Sequence, residues 1–165
     1  MSDAKSERPG DCSRLDFLRT AGLASATLGV ASLAAPSVSA ADAKGRYIVV
    51  ITHGSDDPNR AILGLLMALR VAEKGLGELH VWTTIHGAEL ANRAKAEKIV
   101  SPIFKKFGNG LELVLKLKEK GATFRVCPPC AEAMGATGAE KMDFFELKGA
   151  DWLMQNLAGA QVAWT

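Results

Sequence analysis

The sequence predicts an α/β fold: a single-domain, three-layer sandwich in which a mainly parallel sheet of about five strands carries helices on both faces. Its length of 165 residues, 48% of them hydrophobic, is about that of one domain with an ordinary core. From residue 46 onward, short β-branched apolar runs alternate with longer runs of helical periodicity. Glycine and proline separate these runs, and no internal repeat or second domain is visible.

The first strand and helix are marked by a helix cap. Residues 46–52 (RYIVVIT) form an apolar, β-branched run typical of a strand that is buried on both faces. Asp57 can cap a helix that has Pro58 at its first position, where the missing N–H is tolerated. Apolar residues then recur at helical spacing up to Lys74 and Gly75, a cation and a glycine typical of a helix end.

The same alternation continues to the end of the chain. A second strand is predicted at 79–84 (LHVWTT) and a third at 122–127 (ATFRVC). Trp82 and Trp164 fall within predicted strands and are expected in the core. The remaining elements predicted are helices over 87–98, 111–120 and 150–157, a short helix from about residue 130, a brief strand at 144–147 and a last strand at 160–164.

The first forty residues differ in composition from the rest and read as a cleaved signal peptide. Arg14 and Arg19 precede an uncharged, Ala-, Gly- and Leu-rich stretch, and small residues follow in a cleavage-site arrangement. Cleavage is expected close to Ala40 or Ala43. The apolar stretch is short for a membrane span, so a retained anchor is the minor alternative. The domain organisation predicted is therefore a signal peptide at 1–40 and an α/β domain at 41–165.

The leader also indicates an export route. Residues 13–18 (SRLDFL) are similar to the twin-arginine export motif, which has a second arginine where this chain has Leu15. The long polar leader and weak apolar segment favour twin-arginine export, with Sec export as the alternative. The protein is predicted to be periplasmic and to meet the membrane only during export. Cys12 leaves with the leader, so the mature cysteines are Cys127 and Cys130, in a compartment where disulfides persist.

Two classes of function are disfavoured. The formal net charge is only +2, and basic residues are interleaved with acidic ones, so no nucleic-acid surface is expected. Neither a G-x-G-x-x-G nor a phosphate-loop sequence occurs, which argues against a dinucleotide enzyme. No cofactor is predicted.

Polar side chains follow three of the predicted strands. In open α/β sheets, ligands bind beyond the carboxyl ends of the strands, where these loops meet. His53 and Asp56 follow the first strand, His86 the second, and the two mature cysteines the third. His53, Asp56 and His86 are therefore candidates for substrate binding, although ordinary loop residues also occur at such places. Asp57 is explained by its predicted cap.

The segment 127–130 (CPPC) carries the strongest chemical signal. The two X-Pro bonds favour an extended Cys127, and Pro129 can open a helix as its first residue. Cys130 then lies in the first turn, where exposed N–H groups and the helix dipole favour a thiolate. Two sulfurs at this spacing can also bond to each other. The segment is thus suited to thiol chemistry, and a plain structural disulfide is an alternative.

A zinc site is a weaker interpretation of the same cysteines. Zinc would need two more soft or imidazole ligands, and the available side chains are His53, His86 and His80. His80 falls within a predicted strand, and nothing in the sequence brings the other two to the cysteines. No metal site is predicted.

The chain resembles the DsrE/DsrF-like family of sulfur-relay proteins, which includes the TusD type. The resemblance runs from about Lys44 to the end and rests on the order and spacing of four segments: 51–70, 81–90, 111–127 and 127–135. It implies a small α/β sandwich, assembled as a homotrimer or homohexamer, with a cysteine at the position of Cys127 that accepts a sulfane sulfur as a persulfide. Family members tend to have arginines before the glycine of this loop, where this chain has Ala133 and Met134, and they are typically cytoplasmic.

These observations together predict an exported sulfur carrier with sulfurtransferase-like chemistry, in which Cys127 accepts the sulfur and Cys130 resolves it. Whether it turns over as an enzyme is left open. The partners expected are a sulfur donor or acceptor protein, or a small sulfur compound. Two alternatives are a periplasmic thiol-disulfide redox protein, with Cys127 attacking and Cys130 resolving, and a non-catalytic oligomeric binding module whose cysteines form a structural disulfide.

Overall fold

The computed structural model describes residues 45–165, which form five strands and five α-helices. The strands are β1 (Gly45–Ile51), β2 (Gly77–Thr83), β3 (Thr123–Val126), β4 (Phe145–Leu147) and β5 (Ala160–Trp164). The helices are α1 (Pro58–Glu73), α2 (Arg93–Lys98), α3 (Gly110–Glu119), α4 (Pro128–Ala133) and α5 (Ala150–Leu157).

The five strands form one parallel sheet in the order β4-β3-β2-β1-β5. Neighbouring residues of β1 point to opposite faces, so Val49 and Ile51 enter a core that includes residues of α1 and α3. Ile48 and Val50 enter a smaller core with Trp82 and a leucine of α5. The sheet is thus buried on both faces, and the predicted single-domain three-layer α/β sandwich is confirmed.

The start of α1 confirms the predicted cap. The Asp57 side chain accepts hydrogen bonds from the backbone N–H groups of Asn59 and Arg60, each at 3.2 Å. Pro58 occupies the first helical position, where its missing N–H leaves no bond unmade. Asp57 therefore serves as the N-cap of α1, and this role accounts for its presence after the first strand.

Two sequence-based expectations are wrong. The helix predicted over 87–98 is two elements, a 3-10 helix at Ile85–Ala91 and then α2. Asn92 separates them because its backbone is extended, at φ −91° and ψ 119°, and its amide Nδ2 donates to the Gly135 carbonyl at 2.7 Å. Trp164 was expected in the core but is 59% exposed, because β5 lies at the edge of the sheet.

The predicted signal peptide at 1–40, including Cys12, lies outside the described residues. Cleavage, export route and periplasmic location therefore stay predictions. In the described part of the chain, no helix is both long enough and apolar enough to cross a membrane.

Candidate functional site

Three loops meet at the carboxyl edge of the sheet, because β1, β2 and β3 are neighbours in it. The loop after β2 is bonded to the loop after β1 through Gly87, whose N–H donates to the Thr52 carbonyl at 3.0 Å. It also contacts the cysteine loop, since the Thr84 hydroxyl lies 3.3 Å from the Cys130 sulfur. The loop after β2 thus joins the other two.

Glycine allows these loops to approach each other closely. A Cβ atom at Gly87 would lie 2.1 Å from the Ile51 carbonyl oxygen, and one at Gly54 would lie 2.3 Å from the His86 carbonyl oxygen. Real Cβ contacts are never that short, so any other residue at these positions forces the backbone apart. The spacing of the loops at this edge depends on both glycines.

Cys127 ends β3 and caps α4. Its N–H donates to the Thr83 carbonyl at 2.9 Å, and its carbonyl accepts from the Ala131 N–H at 2.8 Å. The helix begins at Pro128, one residue earlier than predicted, so Cys127 is the N-cap and Cys130 the third helical residue. The Cys127 side chain is half-buried against the smaller core.

Cys130 faces the loop after β2. Its sulfur contacts the Thr84 hydroxyl at 3.3 Å and also interacts with the Ile85 backbone N–H. Ile85 has a φ of +52°, which is exceptional for a β-branched residue. Both cysteines are free thiols and half-buried.

The two thiols have opposite electrostatic environments. Burial raises the pKa of Cys127 and the neighbouring Cys130 side chain adds to this, while the Cys130 backbone N–H and the Thr84 hydroxyl offset it only in part. Burial also opposes ionisation of Cys130, but hydrogen bonds from Thr84, the Ile85 N–H and Cys127 outweigh it, so the pKa of Cys130 lies below its ordinary value. The thiolate of this pair is therefore favoured on Cys130.

His53 and Asp56 contact each other directly. The His53 Nδ1 atom lies 2.8 Å from an Asp56 carboxylate oxygen, and its Nε2 lies 3.3 Å from the Arg60 guanidinium. Because guanidinium only donates, Nε2 accepts and Nδ1–H donates to Asp56. Burial raises the pKa of Asp56, but bonds from the Gly54 N–H and His53, together with the charge of His86, lower it below its ordinary value.

His86 and Glu89 follow β2 and face the loop after β1. The Nδ1 atom of His86 is buried and has no hydrogen-bond partner among the described residues. Glu89, only 7% exposed, accepts from the Ser55 N–H at 2.7 Å. The structure thus brings His53, Asp56 and His86 together on one side of the loop after β2, and the cysteines on the other.

In the described part of the chain, neither a candidate metal site nor the apolar cavity beside α1 includes these loops. Within residues 45–165, no group of three or more His, Cys, Asp or Glu side chains could hold a metal. His80 lies within β2, where Thr123 and Arg125 contact its Nδ1 atom. A cavity of about 290 Å³ between α1 and residues 104–107 contains none of the predicted site residues.

Comparison with solved structures establishes the fold. The ychN protein from E. coli is 16% identical, with a TM-score of 0.51, over 73% of this chain and 99% of that one. MTH1491 from Methanobacterium thermoautotrophicum, a protein of unknown function, is 17% identical, with a TM-score of 0.53, over 72% of this chain and 99% of that one. No protein-family model matches the sequence, and no curated protein is significantly similar to it.

The chain shares its fold with both of these proteins. Each of them is covered almost completely, so the likeness includes the whole sandwich and not a common fragment. The small α/β sandwich that the DsrE/DsrF-like resemblance implies is therefore present. At these identities the likeness extends to the fold alone.

Sequence reasoning missed three residues that contact the predicted site. Thr84 and Ile85 bond the Cys130 sulfur, and Glu89 holds the loop after β1. The signal for Thr84 was available, because it follows the strand next to β3 in the sheet. Ile85 gave no signal, since nothing in its residue type indicates a positive φ.

Proposed function

We propose that the protein carries sulfane sulfur as a persulfide on a cysteine of the CPPC segment, with sulfurtransferase-like chemistry. One observation carries the proposal: two free, half-buried thiols lie at the carboxyl end of β3 where three loops meet, and the sulfur of Cys130 contacts the Thr84 hydroxyl at 3.3 Å. The fold shared with ychN is the small sandwich expected for a sulfur-relay protein, and this supports the same assignment.

The sulfur enters by thiol exchange. A cysteine thiolate attacks the outer sulfur of a donor persulfide R–S–SH, the S–S bond of the donor breaks, and R–S⁻ leaves. The cysteine now carries –S–SH, so no external oxidant or reductant is consumed. An acceptor thiolate R′–S⁻ takes the outer sulfur by the same exchange and leaves the cysteine as a thiolate again.

The second cysteine provides a way to discharge the persulfide. Its thiolate attacks the inner sulfur of the persulfide, forms the Cys127–Cys130 disulfide and releases hydrosulfide. The protein is oxidised to the disulfide in this step, and the sulfane sulfur is reduced to sulfide. Cys127 is the N-cap of α4 and Cys130 its third residue, so both side chains lie at the same helix start for this step.

A donor or acceptor must reach half-buried thiols. Both cysteines are only partly accessible, so a small sulfur compound or a partner protein that fits the three loops is the expected donor or acceptor. His53, Asp56 and His86 line the adjacent part of this edge and are proposed to contact it. Periplasmic location and assembly as a homotrimer or homohexamer belong to the same proposal.

A thiol-disulfide redox role is the second candidate. Two free thiols at the start of one helix favour it, since this arrangement serves disulfide exchange as well as sulfur transfer. The two functions differ in what the reduced protein takes up. A sulfur carrier gains a sulfur atom, whereas a redox protein only forms its disulfide.

Sulfur uptake tests the proposal directly. The full chain, with Cys12→Ser to remove the leader thiol, is reduced and offered inorganic polysulfide, and its intact mass is measured. We expect a gain of one sulfur atom in at least one of the two variants that keep a single mature cysteine, Cys127→Ser or Cys130→Ser. The double variant should gain none. Single-cysteine variants that take up no sulfur, in a protein whose two-cysteine form gives only the disulfide, would support the redox role and contradict the carrier.

A further inference from the structure

We propose that the Thr84 hydroxyl and the Ile85 backbone N–H form an anion site for the Cys130 sulfur, and that Cys130 is the sulfur-accepting nucleophile. The proposal rests on the sulfur-carrier function and names the atom that performs it. It reverses the order expected from the sequence, in which Cys127 accepts the sulfur. Cys127 then becomes the resolving thiol.

Thr84 is held where its hydroxyl meets the sulfur. Its N–H donates to the Ile51 carbonyl at 3.0 Å, which ties it to β1, an interior strand of the sheet. Its Oγ1 atom lies 3.3 Å from the Cys130 Sγ atom, within hydrogen-bond distance for sulfur. A hydroxyl fixed on one side by the sheet can stabilise a thiolate without reorganising.

Ile85 presents its N–H through an unusual backbone conformation. Its φ of +52° lies in the left-handed region, which β-branched residues rarely adopt. Its side chain is 55% exposed, so burial of the side chain does not hold it there. Bonds on either side do, from Thr84 N–H to Ile51 and from Gly87 N–H to Thr52. The conformation directs the Ile85 N–H to Cys130.

The Thr84 hydroxyl contacts the Cys130 sulfur at 3.3 Å, and the Ile85 N–H and the Cys127 side chain beside it also favour the Cys130 thiolate. They lower the pKa of Cys130 against the effect of burial, whereas the pKa of Cys127 is raised. Among residues 45–165, no charged side chain is among the groups that shift the pKa of Cys130. Neutral donors thus take the place of the arginines that the resemblance led us to expect.

The reaction step follows from this geometry. The Cys130 thiolate attacks the outer sulfur of R–S–SH, the donor S–S bond breaks, R–S⁻ leaves, and Cys130 holds –S–SH. When an acceptor thiolate removes the outer sulfur, the Cys130 thiolate is the leaving group. The Thr84 hydroxyl and the Ile85 N–H stabilise the Cys130 thiolate both when it attacks the donor and when it leaves, because the same sulfur atom carries the charge in both steps.

Alkylation kinetics test the anion site independently of sulfur transfer. All proteins are the full chain with Cys12→Ser and Cys127→Ser, so that Cys130 is the reacting thiol, and iodoacetamide is used across pH. Losing a hydrogen bond to a charged group raises the pKa of the thiol and so reduces the thiolate fraction about ten-fold or more. A thiolate whose thiol has a higher pKa is intrinsically more nucleophilic, which recovers about half of that loss on a logarithmic scale. We therefore expect Thr84→Val to react about three- to ten-fold more slowly at neutral pH.

Two further variants make this test specific. Thr84→Ser keeps the hydroxyl and should restore the rate. Thr83→Val removes a neighbouring hydroxyl that bonds the Arg125 carbonyl at 3.3 Å instead of the sulfur, so it should leave the rate unchanged. Equal rates for Thr84→Val and Thr83→Val would overturn the anion site.

Sulfur loading tests the acceptor role separately. With Cys12→Ser throughout, we expect Cys127→Ser to retain sulfur on Cys130 after polysulfide treatment and Cys130→Ser to take up little, by peptide mass spectrometry. Sulfur found on Cys127 alone would overturn this inference and keep the carrier function. Thr84-dependent alkylation without any sulfur uptake would refute the carrier function and keep the anion site. If Thr84→Val does not fold, the protein with both mature cysteines decides: Cys130 must be alkylated faster than Cys127 at neutral pH.

Discussion

Replacing Gly87 with alanine should loosen the site and destabilise the fold together. Gly87 has no left-handed φ, so alanine can adopt its backbone conformation, and the effect comes from space alone. The new Cβ would lie 2.1 Å from the Ile51 carbonyl oxygen and 2.8 Å from its carbonyl carbon. Favourable non-bonded contacts need about 3.5 Å, so the loop must move by about 1 Å or more.

The cost of this movement falls at the upper end of the overpacking range. Ile51 is fully buried and belongs to β1, an interior strand paired on both sides, so the strand cannot move away. We expect a loss of about 2–3 kcal/mol in the free energy of unfolding. At about 4 °C per kcal/mol for a domain of this size, the melting temperature falls by about 10 °C.

Movement of this loop should also change the chemistry at Cys130. Gly87 lies two residues after Ile85, and the bond from its N–H to Thr52 helps to hold the Thr84 and Ile85 donors in place. Alkylation of Cys130 at neutral pH should therefore slow in Gly87→Ala at a temperature where the variant is fully folded.

Thermal unfolding monitored by tryptophan fluorescence measures the first effect, and iodoacetamide kinetics the second. Gly149→Ala is the control, because a Cβ at Gly149 would have no atom within 4 Å. A Gly87→Ala protein that melts within about 2 °C of the wild type and keeps the alkylation rate would show that close loop packing does not maintain the site.

Three further predictions concern other parts of the chain. The pKa of Asp56 is lower in the folded protein than in the unfolded chain, so this carboxylate stabilises the fold above its unfolded pKa and ceases to do so as the pH falls through its folded pKa. Asp56→Asn should therefore flatten the dependence of the unfolding free energy on pH below about pH 4, and an unchanged dependence would contradict this. Protein from the periplasmic fraction should begin close to Ala41 or Lys44 by mass spectrometry, whereas an intact Met1 found only in the cytosol would refute export. Light scattering at micromolar concentration should give a trimer or hexamer, and a strict monomer would count against the family resemblance.

The sequence predicted the structure best where the residue pattern of a segment agrees with the position of that segment in the sheet. Residues 48–51 are apolar at every position, and this part of β1 is buried on both faces accordingly. Asp57 and Pro58 mark the start of α1 without help from distant residues. The position of the cysteines beside the loop after β2 follows from the adjacency of parallel strands.

The wrong predictions have a different physical origin. Asn92 interrupts the helix predicted over 87–98 because it bonds the Gly135 carbonyl, 43 residues away in sequence. Helical periodicity contains no information about that contact. The helix start was expected to stabilise a thiolate, and the Thr84 hydroxyl adds a donor from the neighbouring loop that the helical pattern does not show.

The Cys130 thiolate should respond to salt differently from a thiolate that is paired with an arginine. A thiolate paired with arginine would depend on a charge–charge attraction, which salt screens over about 10 Å at moderate ionic strength. Cys130 is instead stabilised by neutral groups, among which the Thr84 hydroxyl contacts the sulfur at 3.3 Å. Their effect requires contact geometry and is little changed by salt. Alkylation of Cys130 by neutral iodoacetamide should therefore vary little between low and high salt, while remaining sensitive to Thr84→Val. A steep salt dependence would instead indicate that a charged group controls the reactivity of this thiol.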